Sequence, residues 1–185
     1  MRLRLHGILE RSLTNGPGER FVCWFQGCSI KCPNCFNPET HDMCGGVETT
    51  TTALLDEISR ATGISGVTIS GGEPFDQVDA LYDLLKGIRD NLPLNIQVYS
   101  GYTLTELEAS PDTMACLKLI DWLIAGRFKE SLQIDHGPYG SSNQALHLLS
   151  GLPWPSEISE SVEVQVDSQG EVVVTGFPGD WKVFE

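Results

Sequence analysis

Hydrophobic residues alternate with polar ones, or form short apolar runs, in several separate stretches of the chain. Val67 and Ile69 belong to a β-branched run that ends at two glycines, and Ile96 and Val98 alternate with polar residues. Both patterns are typical of β-strands, the first of a strand buried on both faces. By these criteria the sequence predicts strands over residues 3–9, 20–25, 66–70, 94–99 and 119–124.

Apolar residues recur at helical spacing between these strands. The two clearest patterns are Leu54, Leu55, Ile58 and Ala61, and Val78, Leu81, Leu84, Leu85 and Ile88. Aspartate is a favoured N-cap, so Asp76 is predicted to cap the second helix. Thr103 and Glu106 have the spacing of a capping box, and Pro111 suits the first turn of a further helix.

The C-terminal part of the chain carries two further signals. Residues 141–144 are rich in serine and asparagine and are predicted to cap a helix over residues 146–149, with substrate binding as the alternative role. Two runs of alternating valines are separated by a polar turn that contains glycine. This pattern predicts a terminal β-hairpin within residues 161–178.

Alternation of strands and helices predicts an α/β fold with a mostly parallel sheet, in a single domain over residues 1–185. In such folds the functional site gathers at the carboxyl ends of the strands. The segments that follow predicted strands are the cysteine loop (residues 23–41) and residues 71–72, 100–101 and 126–127. We therefore expect these segments to share one edge of the sheet.

Charge and hydropathy restrict the partners. The chain has 12 Lys and Arg against 25 Asp and Glu, a net charge of −13, and no cluster of basic residues. A polyanion would be repelled, so a nucleic-acid partner is not expected. No apolar run is long enough to cross a membrane and no secretory signal is visible, so the expected location is the cytoplasm.

Three of the six cysteines have the spacing of a metal site. Cys28, Cys32 and Cys35 are separated by three and by two residues. Structural zinc takes four ligands, usually in two separated pairs, and no second pair follows. An iron–sulfur cluster held by three cysteines leaves one iron open to an exogenous ligand, and this is the favoured interpretation. A zinc ion and unliganded thiols are the alternatives.

The other cysteines are predicted not to bind metal. Cys23 lies on a predicted strand, and Cys116 lies on a helix face where it would belong to the core. Cys44 has no assigned role, and a redox role or a role in a second cluster is its alternative.

A family resemblance rests on several motifs. Residues 28–35 match the CxxxCxxC motif of radical S-adenosylmethionine (SAM) enzymes. Residues 27–40 resemble the cluster loop of the glycyl-radical activating enzymes, most closely those that activate anaerobic ribonucleotide reductase. Further similar stretches are residues 15–21, 69–74, 99–103, 121–128, 140–144 and 175–178. The resemblance covers nearly the whole chain and implies an open, partial βα barrel with a C-terminal β-hairpin.

The resemblance also implies an activity and its partners. Cys28, Cys32 and Cys35 would ligate one 4Fe-4S cluster, whose fourth iron binds the amino and carboxylate groups of SAM. One-electron reduction would cleave SAM, and the 5′-deoxyadenosyl radical would remove a hydrogen atom from a glycine of a large partner enzyme. The implied partner is a glycyl-radical enzyme, namely anaerobic ribonucleotide reductase, and the implied electron donor is flavodoxin or ferredoxin.

Several residues are expected, by the same resemblance, to contact SAM. Gly71, Gly72 and Glu73 would bind the methionyl ammonium group. Arg127 would pair with the methionyl carboxylate. Ser100 would form a hydrogen bond with the ribose.

Contact with the adenine is expected from Asn34, Cys35 and Phe36. The residues alone leave a structural alternative for each SAM contact: a βα turn for the glycines, core packing for the phenylalanine, a turn serine and a surface arginine. The sequence departs from the family at His41, where tryptophan is frequent, and at Ala125, where aspartate is frequent.

The sequence therefore favours a radical SAM oxidoreductase that activates a glycyl-radical enzyme. The first alternative is a radical SAM enzyme of the same scaffold that modifies a peptide or a small molecule, and the two departures from the family keep it open. The second alternative is a non-catalytic iron–sulfur protein for electron transfer or regulation.

Overall fold

The structure, a computed structural model, describes residues 1–134, 137–155, 162–166, 170 and 172–176. The strands are β1 (Arg2–Ser12), β2 (Arg20–Phe25), β3 (Val47–Thr50), β4 (Gly66–Gly71), β5 (Asn95–Ser100), β6 (Trp122–Ala125), β7 (Ala145–Leu148), β8 (Val162–Val166) and β9 (Val172–Gly176). The α-helices are α1 (Thr51–Arg60), α2 (Val78–Asn91), α3 (Leu104–Glu108) and α4 (Pro111–Leu117). Short 3-10 helices cover Pro38–His41, Pro74–Gln77 and Glu130–Leu132. None of the described helices has the length and apolar character that crossing a bilayer requires.

Seven strands form one sheet in the order β3-β1-β2-β4-β5-β6-β7, and β8 pairs with β9 in a separate hairpin. The central strands β2, β4, β5 and β6 run parallel to one another. The flanking strands β1, β3 and β7 join them in antiparallel pairs. The predicted α/β class, with an open parallel sheet and a terminal β-hairpin, is confirmed, and antiparallel strands extend the sheet on both sides.

The main core lies between the helices and one face of the sheet. Right-handed crossovers between successive parallel strands return the chain to the same side, so the helices collect on that face. Ile58 of α1 and Leu84 of α2 are buried in one cluster with Ile69 and Val98 of the sheet. Successive side chains of a strand alternate between faces, which leaves Ser70, next to Ile69, on the opposite face.

The prediction of a helix over residues 146–149 is wrong, because residues 146–148 belong to strand β7. β7 pairs with β6, with Leu146 opposite Ile124 and His147 opposite Leu123. The pairing satisfies the backbone groups of a sheet edge that would otherwise be open, and this outweighs local helix propensity.

Asp76 is not the N-cap of α2, which differs from the prediction. The helix begins at Val78, after the 3-10 turn Pro74–Gln77. The Asp76 carboxylate instead accepts hydrogen bonds from the backbone N–H of Ser29 at 2.6 Å and from its hydroxyl at 2.9 Å. Asp76 therefore fastens the cysteine loop to the turn before α2. The predicted capping box of α3 and the proline in the first turn of α4 are confirmed.

Candidate functional site

A cavity of about 80 Å³ lies at the edge of the sheet where the parallel strands end, and we call it the cysteine cavity. The sequence-predicted site residues that line it are Cys28, Cys32, Cys35, Phe36, Gly71, Gly72, Glu73 and Ser100. They come from the loops that follow β2 and β4 and from the last residues of β4 and β5. The structure therefore brings these residues together at one edge, as the strand pattern predicts.

The three cysteines reach the cavity from one tightly turned loop. Lys31 and Asn34 have left-handed φ angles of 49° and 54°, which turn the chain sharply between the cysteines. Cys28 is buried, Cys32 and Cys35 are partly exposed, and all three are free thiols. Burial raises the pKa of the Cys28 and Cys35 thiols. Because metals bind the thiolate form, binding of a metal centre would have to displace the protons of these thiols.

Backbone hydrogen bonds hold the cysteine loop in place. The N–H of Gly27 donates to the carbonyl of Thr40 at 2.8 Å, and the N–H of Cys28 donates to the carbonyl of His41 at 3.3 Å. The N–H of Glu73 donates to the carbonyl of Gly27 at 2.8 Å. The loop is thereby closed on itself and joined to the glycine motif after β4.

The two glycines of this motif are required by the packing itself. Gly71 has a φ of 101°, which favours glycine. A Cβ atom at Gly72 would overlap the carbonyl oxygen of Gly27 and lie 3.0 Å from the carbonyl oxygen of Thr40. The chain can approach the cysteine loop this closely only because side chains are absent at these positions.

Glu73 is a buried carboxylate in the wall of the cavity, with a relative exposure of 1%. It accepts hydrogen bonds from the Ser100 hydroxyl at 3.0 Å, the Gly101 N–H at 2.8 Å and the Phe75 N–H at 3.1 Å. Burial disfavours the charged form and raises the pKa of Glu73 to about 7, although these donors oppose the shift. A cation bound in the cavity would stabilise the carboxylate.

The stability of the metal-free protein is expected to depend on Glu73 between mildly acidic and neutral pH. The pKa of Glu73 is about 7 in the folded protein against an ordinary value of 4.5, so its contribution is complete below pH 4.5 and is lost as the pH rises through 7. Between pH 4.5 and pH 7 the free energy of unfolding of the wild type should fall by about 2–3 kcal/mol more than that of Glu73→Gln. Urea unfolding of both proteins at a series of pH values measures the difference. Parallel pH profiles would contradict the prediction.

Two predicted SAM contacts do not line the cysteine cavity. The Arg127 guanidinium forms a two-pronged ion pair with Glu106, at 2.8 and 2.9 Å, and lies 5.8 Å from the centre of the Tyr102 ring. The Asn34 side chain donates to the Glu130 carboxylate at 2.6 Å. Both side chains therefore form hydrogen bonds with carboxylates in exposed positions outside the cavity lining.

His41 and Gln144 line the cavity although the sequence assigned neither of them to it. The His41 Nε2 atom is buried and has no hydrogen-bond partner within the described part of the chain. The Gln144 side chain donates to the carbonyl of Gly126 at 2.9 Å and accepts from the N–H of Gly140 at 2.9 Å. The departure from the family at position 41 is the available signal for the histidine, and the signal for Gln144 is the alternative role of residues 141–144 in substrate binding.

The remaining cysteines lie where the sequence placed them. Cys23 is buried in β2, and burial raises its pKa to about 12. Cys116 is buried in α4. Cys44 is exposed and does not line the cavity.

The donor set of the cavity fits an iron–sulfur cluster. Among the described residues, no three His, Cys, Asp or Glu side chains converge as the ligands of one metal ion would. Zinc requires such convergence, with sulfur ligands at about 2.3 Å, whereas a cluster accepts each thiolate at a separate iron. Three free thiols that line one cavity suit such a cluster, and His41 Nε2, which has no hydrogen-bond partner among the described residues, belongs to a residue that lines the same cavity.

Comparison with known proteins places the chain in a family. The family model described as "4Fe-4S single cluster domain" matches residues 14–147. The anaerobic ribonucleoside-triphosphate reductase-activating protein of Escherichia coli K12 is 32% identical over 156 residues, which cover 80% of this chain and 99% of that protein. The pyruvate formate-lyase-activating enzyme of Clostridium pasteurianum is 43% identical over 88 residues, so the match spans only 37% of that protein. The crystal structure of QueE from Escherichia coli has a TM-score of 0.47, at 18% identity over 56% of this chain and 54% of that chain.

The chain belongs to the 4Fe-4S single cluster domain family and is a radical SAM protein, with one 4Fe-4S cluster and SAM as its cofactors. Within that class it is a homologue of the radical SAM activating enzymes, and the relationship to the reductase-activating protein extends over most of its length.

Proposed function

We propose that this chain uses SAM and its 4Fe-4S cluster to generate a glycyl radical on a partner enzyme, an anaerobic ribonucleoside-triphosphate reductase. The observation that carries the proposal is the cysteine cavity, where three free thiols meet the glycine motif at the carboxyl ends of parallel strands. The relative in Escherichia coli, matched over 99% of its length, is named for the activation of such a reductase.

Cys28, Cys32 and Cys35 would each hold one iron of the cluster. When bound, the cluster and SAM supply a one-electron cleavage that releases methionine and leaves the 5′ carbon of the adenosyl group to take a hydrogen atom from the Cα of a glycine. The chain's own contribution is to orient these groups and to exclude water. The electron comes from outside, and we assign its supply to a flavodoxin or a ferredoxin.

Two side chains of the cavity wall, together with the backbone of the glycine motif, would position SAM. The Glu73 carboxylate would hold the methionyl ammonium group, with the backbone of Gly71 and Gly72 close beside it. The Ser100 hydroxyl donates to Glu73 and accepts from the Tyr102 N–H, which leaves one lone pair to accept from a ribose hydroxyl.

The adenine would lie against the segment that ends the cysteine loop. The Phe36 ring packs edge-on against the Phe128 ring, with 5.0 Å between the ring centres, and both rings line the cavity. Adenine stacks favourably on such an aromatic wall. The backbone of Asn34 and Cys35 would contribute polar contacts, since the Asn34 side chain is held by Glu130.

Anaerobic reconstitution tests the proposal. The protein should bind roughly four iron atoms per chain. Reduction with dithionite in the presence of SAM should release 5′-deoxyadenosine. Addition of its host's anaerobic ribonucleoside-triphosphate reductase should then give the electron paramagnetic resonance signal of a glycyl radical.

Each failure of this experiment points to a different alternative. Release of 5′-deoxyadenosine without a glycyl signal would overturn the assigned partner and favour a radical SAM enzyme with another substrate. A bound cluster that never cleaves SAM would favour an electron-transfer or regulatory protein.

A further inference from the structure

A second and larger cavity, of about 360 Å³, borders the cysteine cavity, and we call it the chamber. Phe36, Asn37, Ser70 and Tyr99 line both spaces. The chamber lies on the face of the sheet opposite the helices, because Ser70 alternates with the core residue Ile69. A molecule in the chamber would therefore reach the cysteine cavity without crossing the core.

The C-terminal hairpin supplies one wall of the chamber. Residues 173–176 of β9 line it, although the family model ends at residue 147. The hairpin is fastened to the end of β1 and the turn that follows. The Glu163 carboxylate accepts from the Ser12 hydroxyl at 2.7 Å and the Leu13 N–H at 3.0 Å, and the Asn15 amide donates to the Thr175 hydroxyl at 2.9 Å. Ser12 and Thr175 are buried by these contacts.

β9 meets the chamber with its backbone edge. Four successive residues of one strand have side chains on alternating faces, so they can line one space together only along the edge of the strand. Among the described strands, β9 pairs with β8 alone. Its other edge thus carries backbone N–H and C=O groups that no described strand satisfies, which is the arrangement to which an extended peptide adds as a new strand.

The chamber lining favours an uncharged peptide over a phosphorylated small molecule. No Lys or Arg is among the described residues that line it, and His6 is the one basic side chain among them, so a phosphate group would find at most a single cationic partner there. Glu39 is its single carboxylate, and the other polar side chains include Asn15, Asn37 and Tyr99. A peptide brings its own amide groups, which the free edge of β9 can pair.

We propose that the edge of β9 that no described strand pairs with binds an extended, uncharged segment of the partner protein as an added strand. The segment then presents a glycine where the chamber meets the cysteine cavity. This inference rests on the proposed function and specifies how the partner is recognised. It assigns the recognition to a hairpin that lies outside the matched family region.

Two neighbouring valines of β9 provide the test and its control. Val173 lines the chamber, whereas Val172 does not, and Val172 pairs with Val166 on the exposed outer face of the hairpin. Val173→Arg introduces a long charged side chain at the wall of the chamber, beside the edge where the added strand would pair, and we expect the yield of glycyl radical on the reductase to fall about tenfold or more. Val172→Arg should stay within about twofold of the wild type.

Further measurements separate docking from folding and from SAM chemistry. Both variants should release 5′-deoxyadenosine at the wild-type rate when the reductase is absent, and Val173→Thr, which keeps the shape of valine, should retain the radical yield. The reductase should slow hydrogen exchange of the β9 amides in the wild type but not in Val173→Arg.

If Val173→Arg activates the reductase as well as Val172→Arg does, or if both fail equally, the inference is wrong. If the wild type releases 5′-deoxyadenosine but yields no glycyl radical, the proposed function itself fails and this inference falls with it.

Discussion

Replacement of Cys32 by serine is expected to abolish the cluster and to reduce 5′-deoxyadenosine formation to background. The thiolate is the ligand that iron–sulfur clusters prefer, and a serine hydroxyl is a poor substitute. Cys32 is a free thiol that is partly exposed to solvent, and serine is similar to it in size and shape, so the variant should still fold. Iron and sulfide analysis after anaerobic reconstitution, together with the visible absorption of the cluster, measures the loss.

Cys44→Ser is the matched control for this variant. Cys44 is exposed and lies outside the cysteine cavity, nine residues along the chain from Cys35. Its replacement should leave both the iron content and SAM cleavage at wild-type levels. If Cys32→Ser still bound a complete cluster, or if Cys44→Ser lost it, the assignment of the three cysteine ligands would be wrong.

The sequence predicts this site well because its chemistry is carried by short motifs at strand ends. The cysteines occupy one loop, and the glycine motif ends a strand whose β-branched pattern is unmistakable. Parallel strands bring their carboxyl ends to one edge, so the order of strands along the chain is enough to predict that Cys28, Gly72 and Ser100 meet. No long-range contact has to be known in advance.

The errors of the sequence analysis arise where a distant partner decides the structure. The segment around Leu146 has helical propensity, but β6 provides a strand to pair with. Asp76 has the composition and position of an N-cap, but Ser29, far away in the sequence, provides two donors. The contact of Arg127 with the SAM carboxylate stays a prediction, and in the structure the guanidinium group pairs with Glu106.

The chamber could not be predicted for the same reason. Its walls come from β1, the end of the cysteine loop, the face of the sheet and β9, which are widely separated in the sequence. The hairpin itself was predicted from its valines, whereas its attachment through Glu163 to Ser12 spans 151 residues. Local patterns identify such elements, and only the folded chain shows which face or edge borders the site.

Gly72→Ala is expected to have the second large effect, because the added methyl group meets backbone atoms that have no freedom to move. The Cβ would overlap the carbonyl oxygen of Gly27, which itself accepts the Glu73 N–H hydrogen bond at 2.8 Å. Relief of the overlap has to move the cysteine loop relative to the glycine motif. We expect a loss of about 2–4 kcal/mol in the free energy of unfolding. SAM cleavage should fall about 100-fold, as displacements of reacting groups by 1 Å commonly cause.

Gly87→Ala provides the comparison, since it makes the same substitution where the neighbour can yield. Gly87 lies within α2, and its added Cβ would meet the end of the flexible Leu55 side chain at 2.9 Å. Alanine is a better helix former than glycine by roughly 1 kcal/mol, which offsets the repacking. Gly87→Ala should therefore unfold at nearly the wild-type denaturant concentration and cleave SAM at the wild-type rate. If Gly72→Ala matches it in both measurements, the glycine motif does not set the distance between SAM and the cysteine loop, and the close packing at Gly27 has no part in catalysis.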